Sequence, residues 1–513
     1  MAQPLYSTSV QIPVFAGLNQ SGDGFNKSMQ YAVEMENVSV EGGSFKPMRQ
    51  GLMMQQELVA PIGTLAYLHR RFGDDTGTLL VAISDGRVFT KLLDGDDEWV
   101  QRYPALVPPE PEESEEESEE ETEEETEEEL VEADDPLEVS DCDWVTYEVN
   151  ERDDTPLANP VDVLLFTNAT DGMFCLYGDT LEVVPVEVAG GVKFGVLARY
   201  NERIWGSGID GDPDKLMYSA PYDPFDWEAN TEIPEDGAGD ILQPTWDGDS
   251  FVALRQYGST LLAIKRNSVW RIYGTDPGEF TMTQQYGGGA IEENTVAVYN
   301  DQAFMLGEYG MLRYEGTGAY PFLQEEIQTI MHDMVNHEAL SVSCAGMRNG
   351  TYCLALPING SEFCNAVLEY NVNERSLALR TLVNVDSFLQ INERLFYTSA
   401  SYPGRVFEMR DDMGTILPCL WVSGYQDLGL KSSIKSAFTL YMMVESEAPA
   451  ELRVGIRTEK KLKQKIINTK PGKMTRLHLN TQGRIFRLEI RSYSAVPFTI
   501  AGGAKLDLEL DPD

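Results

Sequence analysis

The residues able to do chemistry are few and scattered. Four histidines in 513 residues give imidazole chemistry little material. The nearest pair, His332 and His337, does not have the spacing that stacks the two histidines of HExxH on one helix face. Asp210-Gly211-Asp212-Pro213-Asp214 opens like a calcium loop, but Pro213 and the missing downstream glutamate break the EF-hand spacing, which favours a solvated turn. Asp85-Gly86 and Asp171-Gly172 share the Asp-Gly of sialidase hairpins without its Thr-Trp ending. Any tight hairpin selects Asp-Gly, because its central residues need positive φ. No GxSxG, phosphate loop or Cys-His signature offers a nucleophile. Carboxylates are so numerous that a glycosidase pair is a question of space, not of counting. Cys142, Cys175, Cys344, Cys353, Cys364 and Cys419 form no CxxC pair and lie beside apolar strand residues. Buried free thiols are expected, as in a protein folded in a reducing cytoplasm. No catalytic, metal-ligating or cofactor-binding residue is nominated, and no cofactor.

The elements that would position any site are legible. Seven times an apolar strand meets a tight polar turn and a returning strand: Thr78 to Leu92, Val161 to Tyr177, Arg203 to Ser219, Thr260 to Tyr273, Ala303 to Glu315, Thr351 to Tyr370 and Arg394 to Met409. Two are near copies, Asn201-Glu202-Arg203-Ile204-Trp205 returning as Asn392-Glu393-Arg394-Leu395-Phe396. Apart from one long gap, the spacing is that of four-stranded propeller blades, about 40–50 residues. The fold class expected is all-β: a β-propeller of six to eight blades, seven favoured, with a C-terminal β-sandwich-like module. The propeller is assigned to residues 1–425, with a strand near 30–50 closing the ring, and the module to 426–513. The aromatics Trp205, Tyr218, Trp227, Trp270, Tyr273, Tyr309 and Tyr314 fit blade core better than sugar stacking. One short helical pattern runs from Glu325 to Val335.

Charge divides the chain. From Glu110 to Asp135 eighteen residues are acidic and none is basic. Such a stretch buries too little to offset its ordering entropy, so an acidic disordered insertion at about 105–138 is expected within a blade. The formal charge is −45, and most of it lies outside that insert, which disfavours general attraction to nucleic acid phosphates. Lys431 to Lys505 reverses the sign, with fifteen Lys or Arg against five Glu. Its densest part, Lys460, Lys461, Lys463 and Lys465, reads either as an exposed charged hairpin or as an assembly surface that docks an acidic partner or DNA. No apolar run reaches the roughly 18 residues of a membrane span, and the start lacks a signal-peptide pattern.

The order Arg203-Ile204-Trp205-Gly206-Ser207, Leu216-Met217-Tyr218 to Asp226-Trp227, Phe251 to Tyr273, Ala303 to Gly310, and finally Phe486 to Arg491 with Pro497 to Gly503 resembles the packaged-DNA stabilisation proteins of short-tailed bacteriophages, also called tail hubs or nozzles. The resemblance extends over most of the chain and includes no catalytic motif. It implies a virion structural protein, made in the host bacterial cytoplasm and placed in the tail as a homo-oligomer, usually a homo-hexameric ring. Such a ring docks below the portal-adaptor (head completion) protein and neighbours tail spike, fibre or needle proteins. It retains packaged dsDNA and forms the ejection channel, without sequence-specific binding. The acidic insertion is outside that family pattern. The alternatives are a propeller tail protein that binds or degrades host-surface polysaccharide, and a cellular propeller scaffold.

Overall fold

The computed structural model describes residues 6–54, 56–71, 76–95, 97–107, 131–152, 155–242, 244, 248–469 and 473–511. Each of the seven hairpins forms the two inner strands of a four-stranded antiparallel sheet, which in the fifth carries one further short strand, Tyr286–Gly287, paired in parallel at its edge. The first strands of these sheets are Ile62–Arg70, Asp143–Arg152, Val196–Tyr200, Phe251–Tyr257, Ala297–Tyr299, Cys344–Arg348 and Phe388–Ile391. Each approaches the next around a circle, and the last approaches the first. The protein is therefore a β-propeller, and the described residues form seven blades around one axis.

Local chemistry explains the blades. Asp85 and Gly86 both hold positive φ, 51° and 73°, as a two-residue hairpin turn requires. Asn201, Glu202 and Asn392 also hold positive φ, in the turns that join the first two strands of blades three and seven. Between blades, apolar faces interlock: Trp205, Leu216 and Tyr218 of blade three pack with Leu254, Leu261 and Trp270 of blade four. Each such side chain contributes about 1.5–3 kcal/mol on burial. Of the seven aromatics read as core, Trp205, Tyr218, Trp227, Trp270 and Tyr314 are buried. Tyr273 and Tyr309 are not, at 37% and 82% exposure; Tyr273 ends the strand Val269–Tyr273, and Tyr309 lies in the turn between Gln302–Gly307 and Gly310–Tyr314.

The N-terminal strands depart from the expected division at 425. Blade seven is closed by Leu52–Met53, which pairs with Phe407 and Glu408, and not by the segment near 30–50. Tyr6–Ile12 and the Val38–Glu41/Ser44–Pro47 hairpin instead join Phe498–Asp511, Ile434–Ser446 and Lys473–Gly483 in a six-stranded sheet. Ala32–Glu36 joins Cys419–Ser423, Phe486–Ser492, Glu451–Thr458 and Leu462–Asn468 in a five-stranded one. The propeller is thus inserted into a sandwich built from both ends of the described chain. A blade needs a single outer strand, and Leu52–Met53 supplies it, leaving the earlier strands to cover the sandwich. One continuous core, including Phe15, Phe45, Trp421, Leu377 and Leu379, joins the sandwich to blade six.

Most of the acidic insertion lies outside the described residues. Its expected span of 105–138 is too wide at both edges, because Leu106–Val107 pairs with Val131–Glu132 and Leu137 is buried. Glu132, the last glutamate of the run, forms an ion pair with Arg87 at 2.5 Å. The helical pattern at Glu325–Val335 forms helical turns, with Ile327 N–H donating to the Leu323 carbonyl at 3.1 Å and Met331 N–H to the Ile327 carbonyl at 2.9 Å, and ends in a wide turn at Ile330–Met334, where Val335 N–H donates to the Ile330 carbonyl at 3.0 Å.

Candidate functional site

Three places gather chemistry: the central channel, a groove beside blade five, and the basic hairpin of the sandwich. The channel is a cavity of about 710 Å³ lined by Thr64, Trp144, Arg199, Arg255, Val296, Ala345 and Gln390, a residue from each blade in turn. Across it, Arg255 of blade four donates to Glu293, just ahead of blade five, at 2.6 Å. Asp143 of blade two hydrogen-bonds with Glu293 and accepts the Leu197 N–H of blade three at 2.6 Å. Side-chain exposure is 27% for Arg255 and 15% for Glu293. Burial raises both carboxyls above their ordinary range, Glu293 well above it with the Asp143 charge adding, while Arg255 acts the other way. The raised values favour a protonated carboxyl that can donate to its neighbour. The arrangement therefore ties four blades together across the axis.

The groove, about 970 Å³, lies between the hairpin tip at Glu308-Tyr309 and the helical turn. Its floor is Met311, Phe322, Ile327, Met331 and Leu340, and its rim carries Glu292, Glu308, Glu325, Glu338, Arg266, His332 and His337. His332 Nδ1 meets Asp333 at 2.7 Å, and His337 Nε2 meets the Met331 carbonyl at 2.9 Å, so the two imidazoles do not converge. Among the described residues no group of three or more His, Cys, Asp or Glu is arranged to hold a metal ion.

The acidic turn at Asp210–Asp214 is only partly the solvated turn its sequence suggests. Asp210 and Asp212 are exposed, whereas Asp214 forms an ion pair with Lys265 of blade four, which has 0% side-chain exposure. The six cysteines are unpaired and buried. Burial pushes the thiols of Cys142, Cys353, Cys364 and Cys419 up to about 12, so these are packed groups and not nucleophiles.

Lys460, Lys461, Lys463 and Lys465 are all exposed, at the turn and along the edge strand Leu462–Asn468. Lys463 and Lys465 stand opposite the buried Ile456 and Val454, at the rim of the core face. Charges there deter pairing of the strand edge with other strands. Four arginines of the same module, Arg453, Arg457, Arg487 and Arg491, which the sequence reading passed over, form ion pairs within it or with Glu34. Arg487 reaches Glu34 at 3.0 Å and Glu489 at 3.3 Å, Arg457 pairs with Glu489, and Arg453 meets Glu451 at 3.4 Å. Cross-strand registry sets Arg453 beside Arg491 and Arg457 beside Arg487, with Glu489 between them reached from both strands. Alternation of Arg and Glu along Phe486–Ser492 was the signal available for it.

No protein-family model matches the chain, and no curated protein matches it. Among solved structures, the Neurospora crassa Pan2 WD40 domain is 10% identical with a TM-score of 0.35, the alignment covering 69% of this chain and 91% of that one. The WD40 β-propeller domain of Doa1 is 11% identical with a TM-score of 0.27, over 49% of this chain and 90% of its own. A catalytically inactive virginiamycin B lyase from Staphylococcus aureus is 8% identical with a TM-score of 0.37, over 69% and 98%.

Proposed function

We propose that the protein is a structural subunit of a virion tail, a hub or nozzle that forms a homo-hexameric ring below the portal-adaptor, retains packaged dsDNA and later lets it pass. The observation that carries this reading is where the family-like runs fall. They lie on blades three, four and five and on the sandwich, so the resemblance follows the scaffold across the molecule and not one site. The channel of a single propeller does not carry the DNA. It is crossed by Arg255 and Glu293, which meet at 2.6 Å, and by Asp143, which accepts the Leu197 N–H, so a duplex would have to break these contacts to enter. The DNA path therefore runs between copies, and a predominantly acidic surface avoids phosphate contacts that would stall it. Tail spike, fibre or needle proteins are the neighbours this role brings.

Particles lacking the protein test the reading. They are expected to package DNA and then leak it. Stable DNA-filled particles without the protein, or cleavage of polysaccharide by the purified chain, would overturn it.

A further inference from the structure

We infer that the basic edge hairpin of the sandwich docks into the groove beside blade five of a second copy of this chain. The proposal deepens the ring-subunit reading by naming the two surfaces that meet.

The groove has the composition of an occupied surface. Its floor is apolar, and Tyr309 projects at the rim with 82% of its surface exposed. Interfaces are enriched in such aromatics, and a contiguous apolar hollow on a monomer marks a contact site. Of its acidic rim, Glu292 is answered by Arg266 at 3.7 Å. Glu308, Glu325 and Glu338 are exposed and have no ion-pair partner among the described residues. The groove thus presents three uncompensated carboxylates around a hydrophobic centre.

The hairpin is its chemical complement. Lys460, Lys461, Lys463 and Lys465 are exposed and likewise without an ion-pair partner among the described residues, in a module whose arginines Arg453, Arg457 and Arg487 are already paired. Leu462 and the 58% exposed Ile466 share the opposite face of the same strand, giving the basic run an apolar companion. In a chain of formal charge −45 this is the densest run of lysine, and a second copy brings it to every groove in equal number. Two different patches meeting make a heterologous contact, which closes into a ring or propagates as a filament according to its rotation. Guarding a strand edge explains why lysines sit there. It leaves their charges available to the groove.

Light scattering and sedimentation of the full chain at low and high salt test this. The wild-type protein is expected to self-associate, more weakly as salt rises. Lys461→Glu with Lys463→Glu and Lys465→Glu, or separately Glu308→Lys with Glu338→Lys, each weakens association by about tenfold or more. Mixing the two variants restores it, because each reversed patch then finds its reversed complement. Lys→Gln changes at the same three lysines give an intermediate loss, and circular dichroism and melting establish that every variant is folded. A monomeric wild type, folded variants that associate as the wild type does, or a mixture that stays dissociated would overturn the proposal. Self-association through these patches together with stable DNA-filled particles lacking the protein would sink the tail reading alone.

Discussion

A guanidinium with no exposed surface needs its counter-charges in place before the chain closes over it, and Arg380 is such a group. It donates to Glu369 at 2.6 Å and lies 3.4 Å from Asp411, which Arg348 holds at 2.6 Å. Arg380 also donates to the Arg49 carbonyl, so the cluster sits where blades six and seven meet the N-terminal segment. Glu369→Ala leaves two buried guanidiniums to share the single carboxylate of Asp411 and is expected to cost about 3 kcal/mol in denaturant unfolding. Burial would raise Asp411, but Arg348 and Arg380 hold it below the ordinary aspartate range. Its contribution is therefore full above about pH 3.9 and lost as pH falls toward the lower folded value, so Asp411→Asn should flatten the acid limb of the stability profile. Glu293 has the opposite sign. Its raised folded value means that stability falls as pH rises above the ordinary glutamate range, and Glu293→Gln should remove that decline, read as Tm against pH. None of this was legible in the sequence. Asp143, Arg255 and Glu293 come from different blades, so no spacing records their meeting, whereas the lysine run at 460–465 is contiguous and was visible at once.

Blades were legible for the converse reason. A hairpin's turn residues and its alternation are neighbours in sequence, so Asp85-Gly86 and the twin Asn201 and Asn392 turns announce their strands locally. The strand that closes blade seven is only Leu52–Met53, too short to leave a pattern, and the longer strand near 30–50 drew the assignment away from it. Closure also depends on Gly404, whose φ is 74° and whose carbonyl accepts the Leu58 N–H at 2.9 Å. A Cβ there would stand 2.0 Å from the Leu58 carbonyl oxygen. Gly404→Ala is therefore expected to destabilise by at least about 1–3 kcal/mol. Hydrogen exchange should accelerate first at the Phe407–Met53 pairing, while blades two to four keep their protection.

The core that joins sandwich and blade six predicts one calorimetric unfolding transition instead of two. Removing Tyr6–Ile12, which pairs along its whole length with Ala504–Leu510, should lower that transition without dividing it. Two separated peaks in the intact protein would refute the shared core. The inserted topology escaped the sequence because a strand's alternation says which face is buried and not which distant strand it meets. It also orders events on the ribosome. Tyr6–Ile12 emerges before every blade and its partner Ala504–Leu510 after every blade, and contacts of such separation are the slowest to form. The blades can form as they are made, while the N-terminal strands wait with an open edge until Phe498–Asp511 arrives. A translation product interrupted after the blades would thus display a finished propeller on an unfinished sandwich, exposing Phe45 and Phe15 to quality-control proteases, and the basic hairpin would be set in its sheet only on chains translated past Phe486–Ser492.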